Sequence, residues 1–206
     1  MLAGLAIAGL FLPWSTTNHD AQAPQEIMEQ PRPLTAFSLQ RHEQAPLDLA
    51  ALKGKWTFLF FGYTHCPDVC PTTLLELNAA HGLLAADPGV LDDTRFVFVS
   101  VDPERDTPQS LAAYVAYFNE AFSGATGTPA ELAAITSQLG IEHSRGEPGA
   151  GGYVVNHSSA VLLIDPQVRY YARLKAPHYA ENIRSQFLAI RHYYKRKYEK
   201  SYEGNP

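Results

Sequence analysis

The run Trp56–Phe61 (WTFLFF), apolar but for Thr57, leads directly into a loop that holds both cysteines of the chain, and this junction constrains the fold more than any other feature. A continuous apolar stretch bounded by Gly54 and Gly62 reads as a strand buried on both faces, not as a half-exposed one. The loop is Gly62-Tyr63-Thr64-His65-Cys66-Pro67-Asp68-Val69-Cys70-Pro71. Pro71 opens a predicted helix in which Leu74, Leu77, His81 and Leu84 share one face. In an open α/β sheet, ligands sit beyond the carboxyl ends of the strands, and the cysteine loop lies there. With 206 residues the chain can bury a real core and needs no cross-links to fold. Its two cysteines are too few for a disulfide scaffold, or for an iron–sulfur or zinc site built from four cysteines.

The elements that follow keep to an α/β order. Arg95–Val101 (RFVFVSV) is a second β-branched strand. Thr107-Pro108 is an N-cap with proline at the first helical position, and Leu111, Val115 and Phe118 continue that helix. Residues 121–150 read as an excursion with a helix at Pro129–Leu139, followed by a glycine-rich loop, Gly146–Gly152. Ala160–Ile164 and Val168–Leu174 form a hairpin around Asp165-Pro166-Gln167, and Ile183, Phe187, Ile190 and Tyr194 mark a last helix. A short hairpin of Phe37–Gln40 and Leu47–Leu49 precedes them. Without the excursion the order is β-α-β-α-β-β-α, which is the thioredoxin order. The expected fold is therefore α/β and thioredoxin-like, with a helical and loop excursion before the last hairpin.

The chemistry lies in three segments. Two thiolates separated by three residues can close on each other or on one soft metal ion, and the helix N-terminus behind them is expected to lower a nearby thiol pKa. A structural disulfide is the plainer alternative, but it would close too small a loop to constrain the chain much. The usual thiol–disulfide oxidoreductase motif has two intervening residues rather than three. Thr64 stands two places before Cys66, where a peroxiredoxin-like nucleophile needs it three places before. The second strand ends in Asp102-Pro103-Glu104-Arg105-Asp106-Thr107-Pro108, a turn and helix cap expected at the same sheet edge. His157, in Val155-Asn156-His157-Ser158-Ser159, precedes a strand that this topology runs antiparallel to Trp56–Phe61, so it can face Cys66 and Cys70. His65, beside Cys66, is the second choice among the histidines.

The termini add a compartment. Met1–Trp14 is almost wholly apolar and the first basic residue is Arg32. As a helix it would reach roughly 21 Å, short of the roughly 30 Å hydrocarbon core, so it suits an export signal or an uncleaved anchor over residues 1–23. Residues 24–36 read as a polar linker and 37–200 as the folded domain. Export implies an oxidising compartment, where paired cysteines can exist as a disulfide. The net charge of −5 is uneven: residues 191–206 carry +3, which leaves −8 elsewhere and argues against nucleic acid as a partner.

FFGYTHCPDVCPTTL, VDPERDTP and NHSSAVLLIDP together resemble the three signatures of the Sco/SenC copper chaperones, over about residues 37 to 192. The resemblance implies a membrane-anchored thioredoxin-fold protein that helps assemble the binuclear copper centre of cytochrome c oxidase subunit II. It implies one copper ion per chain, bound by Cys66, Cys70 and His157, and a reversible Cys66–Cys70 disulfide. It places Asp102 or Asp106 close to the metal. Subunit II is then the partner, with another copper carrier or a thiol reductase as further partners, and the domain faces the periplasm or the equivalent intermembrane space. The function implied is metal delivery rather than enzymatic turnover. A thiol–disulfide reductase that keeps target cysteines reduced is the alternative, and it would use the cysteines without His157. The chain departs from the family in having Gln167-Val168 where the hairpin usually has a glycine.

Overall fold

A computed structural model describes residues 24–41, 45–147 and 153–199. The export signal or anchor expected over 1–23 and most of the glycine-rich loop lie outside the described residues. In chain order the elements are β1 (Ile27–Pro33), β2 (Ser38–Arg41), β3 (Leu47–Asp48), α1 (Leu49–Leu52), β4 (Trp56–Gly62), α2 (Val69–Leu84), β5 (Thr94–Ser100), α3 (Pro108–Phe118) and β6 (Phe122–Thr126). They continue with α4 (Pro129–Leu139), β7 (His143–Arg145), β8 (Val155–His157), β9 (Val161–Ile164), β10 (Arg169–Leu174) and α5 (Ala180–Tyr194).

Eight strands make one sheet in the order β1-β10-β9-β4-β5-β6-β2-β3, and β7 and β8 pair apart from it as a two-stranded ribbon. β4, β5 and β6 run parallel, and β9 lies antiparallel to β4 on its other side. This is the thioredoxin-like arrangement. Every residue of β4 is buried, Thr57 included, as its largely apolar run requires. Side chains alternate across a strand, so Trp56, Phe58, Phe60 and Gly62 share one face. Over that face Trp56 meets Tyr171, Phe187 and Tyr194 edge-on, and Phe58 stacks on Phe96 at 4.5 Å. His81 of α2 closes over Phe96 and Phe122, and α2 packs on α5. Burying each such aromatic ring contributes about 1.5–3 kcal/mol.

Three boundaries differ from the sequence reading. Residues 24–36 are not only a linker: Ile27–Pro33 pairs with β10 as an edge strand, a position that tolerates Pro31 and Pro33 because the sheet ladder needs no donor there. The excursion 121–150 contributes β6, a full member of the sheet, and Gly124 fits there because a Cβ would come within 2.9 Å of Leu111 Cβ. The helix predicted from Pro71 starts at Val69, which puts Cys70 inside its first turn. The expected hairpin near residue 40 forms, as β2 and β3. The Thr107 cap takes its predicted form, accepting from Ser110 N while Ser110 Oγ accepts in return. Among the described residues no helix is long and apolar enough to cross a membrane.

Candidate metal centre

The carboxyl end of β4 carries the first part of the site. Cys66 closes a turn by donating its N–H to Tyr63 O at 3.2 Å, and Cys70 lies in the first turn of α2. The Cys70 N–H donates to Cys66 Sγ at 3.4 Å, so the exposed amide end of the helix faces the other sulfur. Gly62 makes this closeness possible. A Cβ at that position would stand 2.6 Å from Cys70 Sγ and 2.8 Å from Phe98 Cε2, so only hydrogen fits.

The loop is tied down by Asp106, which is 1% exposed. Its carboxylate accepts from Thr64 N at 2.9 Å, from Thr64 Oγ1 at 2.5 Å and from Ser100 Oγ at 2.5 Å. Ser100 ends β5, directly beside Gly62 in the parallel register. One buried carboxylate thus links the ends of two central strands to the residue two places before Cys66.

His157 ends β8. Its Nδ1 lies 3.0 Å from Ser158 O, which can only accept, so that contact puts the ring proton on Nδ1 and leaves Nε2 as an acceptor. That Nε2 lies 3.3 Å from Cys70 Sγ. One donor atom from each of Cys66, Cys70 and His157 falls within 4.8 Å of the other two. Tyr63 holds the ring edge-on at 5.8 Å and Phe60 at 6.2 Å.

Burial sets the protonation states. It lowers the His157 pKa, against the ring's hydrogen bonds to the Ser158 and Phe61 backbone, so the ring is neutral and able to ligate. It pushes the Cys70 thiol far up, and the neighbouring Cys66 and Asp106 add to the rise. The expected lowering by the helix terminus therefore fails at Cys70, because complete desolvation outweighs a terminal dipole.

The structure brings together the three residues singled out as ligands and leaves His65 outside. Its side chain is 58% exposed and turned toward Thr64 and Asp106. Asp102 and Asp106 are both buried, but neither joins the donor group. Asp102 accepts from Arg105 Nε at 2.5 Å and from Tyr153 Oη at 2.6 Å. Gly62, Tyr63, Thr64 and Tyr153 were not legible as parts of the site. Strand parity from Trp56 could have put Gly62 under the helix, whereas Tyr153 carries no signal in the sequence.

A trio of this kind can take a soft cation: thiolate suits monovalent copper, and imidazole suits copper in either state. The SCO1/SenC family model matches residues 25–194. A protein of Stutzerimonas stutzeri whose name points to copper binding is 34% identical over 156 residues, 76% of each chain. "Protein SCO1 homolog 1, mitochondrial" of Arabidopsis thaliana is 39% identical over 134 residues, which is 65% of this chain and 40% of that one. The chain thus spans less than half the length of this plant relative. The copper-bound crystal structure of Arabidopsis thaliana ScoI superposes with a TM-score of 0.71 at 35% identity, over 76% of this chain and 97% of that one. This chain therefore belongs to the SCO1/SenC family.

Proposed function

We propose that this protein is a copper chaperone that carries one copper ion on Cys66, Cys70 and His157 and delivers it to the binuclear copper centre of cytochrome c oxidase subunit II. The single observation that carries the reading is the approach of two sulfurs and a neutral imidazole nitrogen to within 4.8 Å of one another at the carboxyl edge of the sheet. Three protein ligands leave room for an incoming fourth, which a protein that hands on its metal needs. Copper is cargo here, so the site must also release it. Oxidation of the two thiolates to a disulfide by an external disulfide such as oxidised glutathione passes two electrons to that disulfide, releases it as two thiolates and destroys two of the three ligands. The residues before 24 are proposed to hold the domain at the membrane, facing the periplasm or its equivalent.

The alternative reading is a thiol–disulfide reductase, favoured by the closeness of Cys66 Sγ to the Cys70 amide. It gives no part to His157. One experiment separates the two. The purified protein, reduced or oxidised with oxidised glutathione, is loaded with copper and desalted. Chaperoning predicts about one copper per chain in the reduced form and essentially none in the oxidised form. Equal retention in both forms contradicts it.

A further inference from the structure

The ribbon that carries His157 is poorly supported by its own residues. β7 and β8 have three residues each; all three of β7 are exposed, and only Val155 of β8 is buried. A two-stranded ribbon of that size is marginal without an outside anchor. Burial alternates along 153–157, with Tyr153, Val155 and His157 turned inward and Val154 and Asn156 outward.

Tyr153 supplies the anchor. Arg105 Cζ lies 3.7 Å from its ring centroid and Arg145 Cζ lies 3.6 Å from it. Two guanidinium groups that close on one face would overlap, so they flank the ring, one on each face. The Tyr153 hydroxyl donates to Asp102 Oδ1 at 2.6 Å, and Arg105 Nε donates to the other oxygen of the same carboxylate. Arg145 Nη1 donates to Glu104 Oε2 at 2.7 Å, so each cation of the stack has an acid of the 102–105 turn as its partner. Arg145 stands opposite Val155 in the ribbon register. The inner guanidinium, Arg105, also lies over the Tyr63 ring at 5.4 Å, and Tyr63 packs edge-on against His157. The turn at the end of β5 is thus connected to the imidazole by continuous contact.

We infer that Tyr153, clamped between Arg105 and Arg145 and hydrogen-bonded to Asp102, is a positioning residue that holds the ribbon, and with it His157, in ligand range of Cys66 and Cys70. The inference rests on the copper reading above. It gives the two aspartates of the turn separate tasks: Asp106 fixes the cysteine loop, and Asp102 fixes the histidine ribbon.

The test uses the full chain with Tyr153→Ala and Tyr153→Phe, read by copper retention against a chelator and by the His157 ring signal in the proton–carbon NMR spectrum of the reduced, metal-free protein. Loss of an orienting partner weakens metal binding by about 10–100-fold, and Tyr153→Ala is expected to fall in that range. Its His157 signal moves toward that of a solvent-exposed imidazole, while Cys66–Cys70 oxidation by oxidised glutathione is unchanged. Tyr153→Phe keeps the stack and recovers most of the affinity. Parent-like copper retention and an unmoved His157 signal in Tyr153→Ala overturn the inference. If the parent itself holds no copper, the copper reading fails and the ring signal alone decides the clamp: movement supports it and no movement overturns it. Should Tyr153→Ala not fold, Arg145→Met on the exposed strand replaces it. A smaller loss of retention with a moved His157 signal supports the clamp, and no change in either overturns it.

Discussion

Cys66 and Cys70 hang from the centre of the sheet, whereas His157 hangs from a ribbon at its margin. The cysteine side follows β4, buried at all seven residues, and its loop is fixed by the buried Asp106 and by the absence of a side chain at Gly62. The histidine side has one buried residue in its own strand and depends on aromatic and guanidinium contacts from elsewhere. Two of the three proposed ligands are therefore preorganised by the core, and the third is held through contacts from other elements. On the proposed function, such a site would switch off through its thiols and set its affinity through its histidine.

The largest effect expected is on the cysteine side. Cys66→Ser and Cys70→Ser each abolish both stable copper binding and the reversible disulfide, checked by copper analysis after desalting and by thiol counting before and after mild oxidation. His157→Ala breaks only the other half. Copper retention against a chelator falls by more than about a hundredfold, while the disulfide still forms and the protein unfolds at a near-parental denaturant midpoint. If His157→Ala unfolds far more readily than the parent, the ribbon is not separable from the core.

Gly62→Ala sharpens the contrast from the core side. Its methyl group must displace Cys70 Sγ or the Phe98 ring, so stability falls by about 1–3 kcal/mol in denaturant unfolding and copper affinity falls with it. Acid tests the two halves chemically. Burial raises the Cys70 pKa, so the thiol is protonated at neutral pH and copper loading must release that proton. Burial lowers the His157 pKa, so the imidazole is already neutral and releases none near neutrality. Apparent affinity then falls by about tenfold for each pH unit of acidification per proton released. A chelator titration that is flat between neutral and mildly acid pH contradicts this assignment.

The smallest effect lies at the far end of β9 and β10, away from both halves. Val168 is held at φ 60°, a left-handed conformation that a β-branched residue adopts only under strain. The turn is imposed by the buried Asp165, whose carboxylate accepts from Gln167 N at 3.0 Å and from Arg169 N at 2.9 Å. Val168→Gly relieves the strain and loses some burial, for a net gain of about 1 kcal/mol in stability with copper binding unchanged.

The parts that could be read from the sequence are those with a strong local signal. The apolar run of β4, the cap at Thr107 and the spacing of Cys66 and Cys70 each carry their physical reason in adjacent residues. His157 could be placed because one antiparallel strand relation fixes which sheet edge it reaches. β1 could not, because Ile27–Pro33 has no apolar alternation and is held by backbone bonds to β10. β6 was hidden by its small residues, of which Gly124 makes room for Leu111 of α3. Tyr153 was invisible for a different reason: its partners Arg105 and Arg145 are 48 and eight residues away, and only the folded ribbon brings them together.

X-ray absorption at the copper edge, on the reduced copper-loaded parent and on His157→Ala, tests the central claim most directly. Three-ligand coordination predicts two sulfur scatterers and one imidazole nitrogen in the parent, with the imidazole signal lost in whatever copper the variant retains. An all-sulfur shell in the parent, or an imidazole signal that survives His157→Ala, contradicts it.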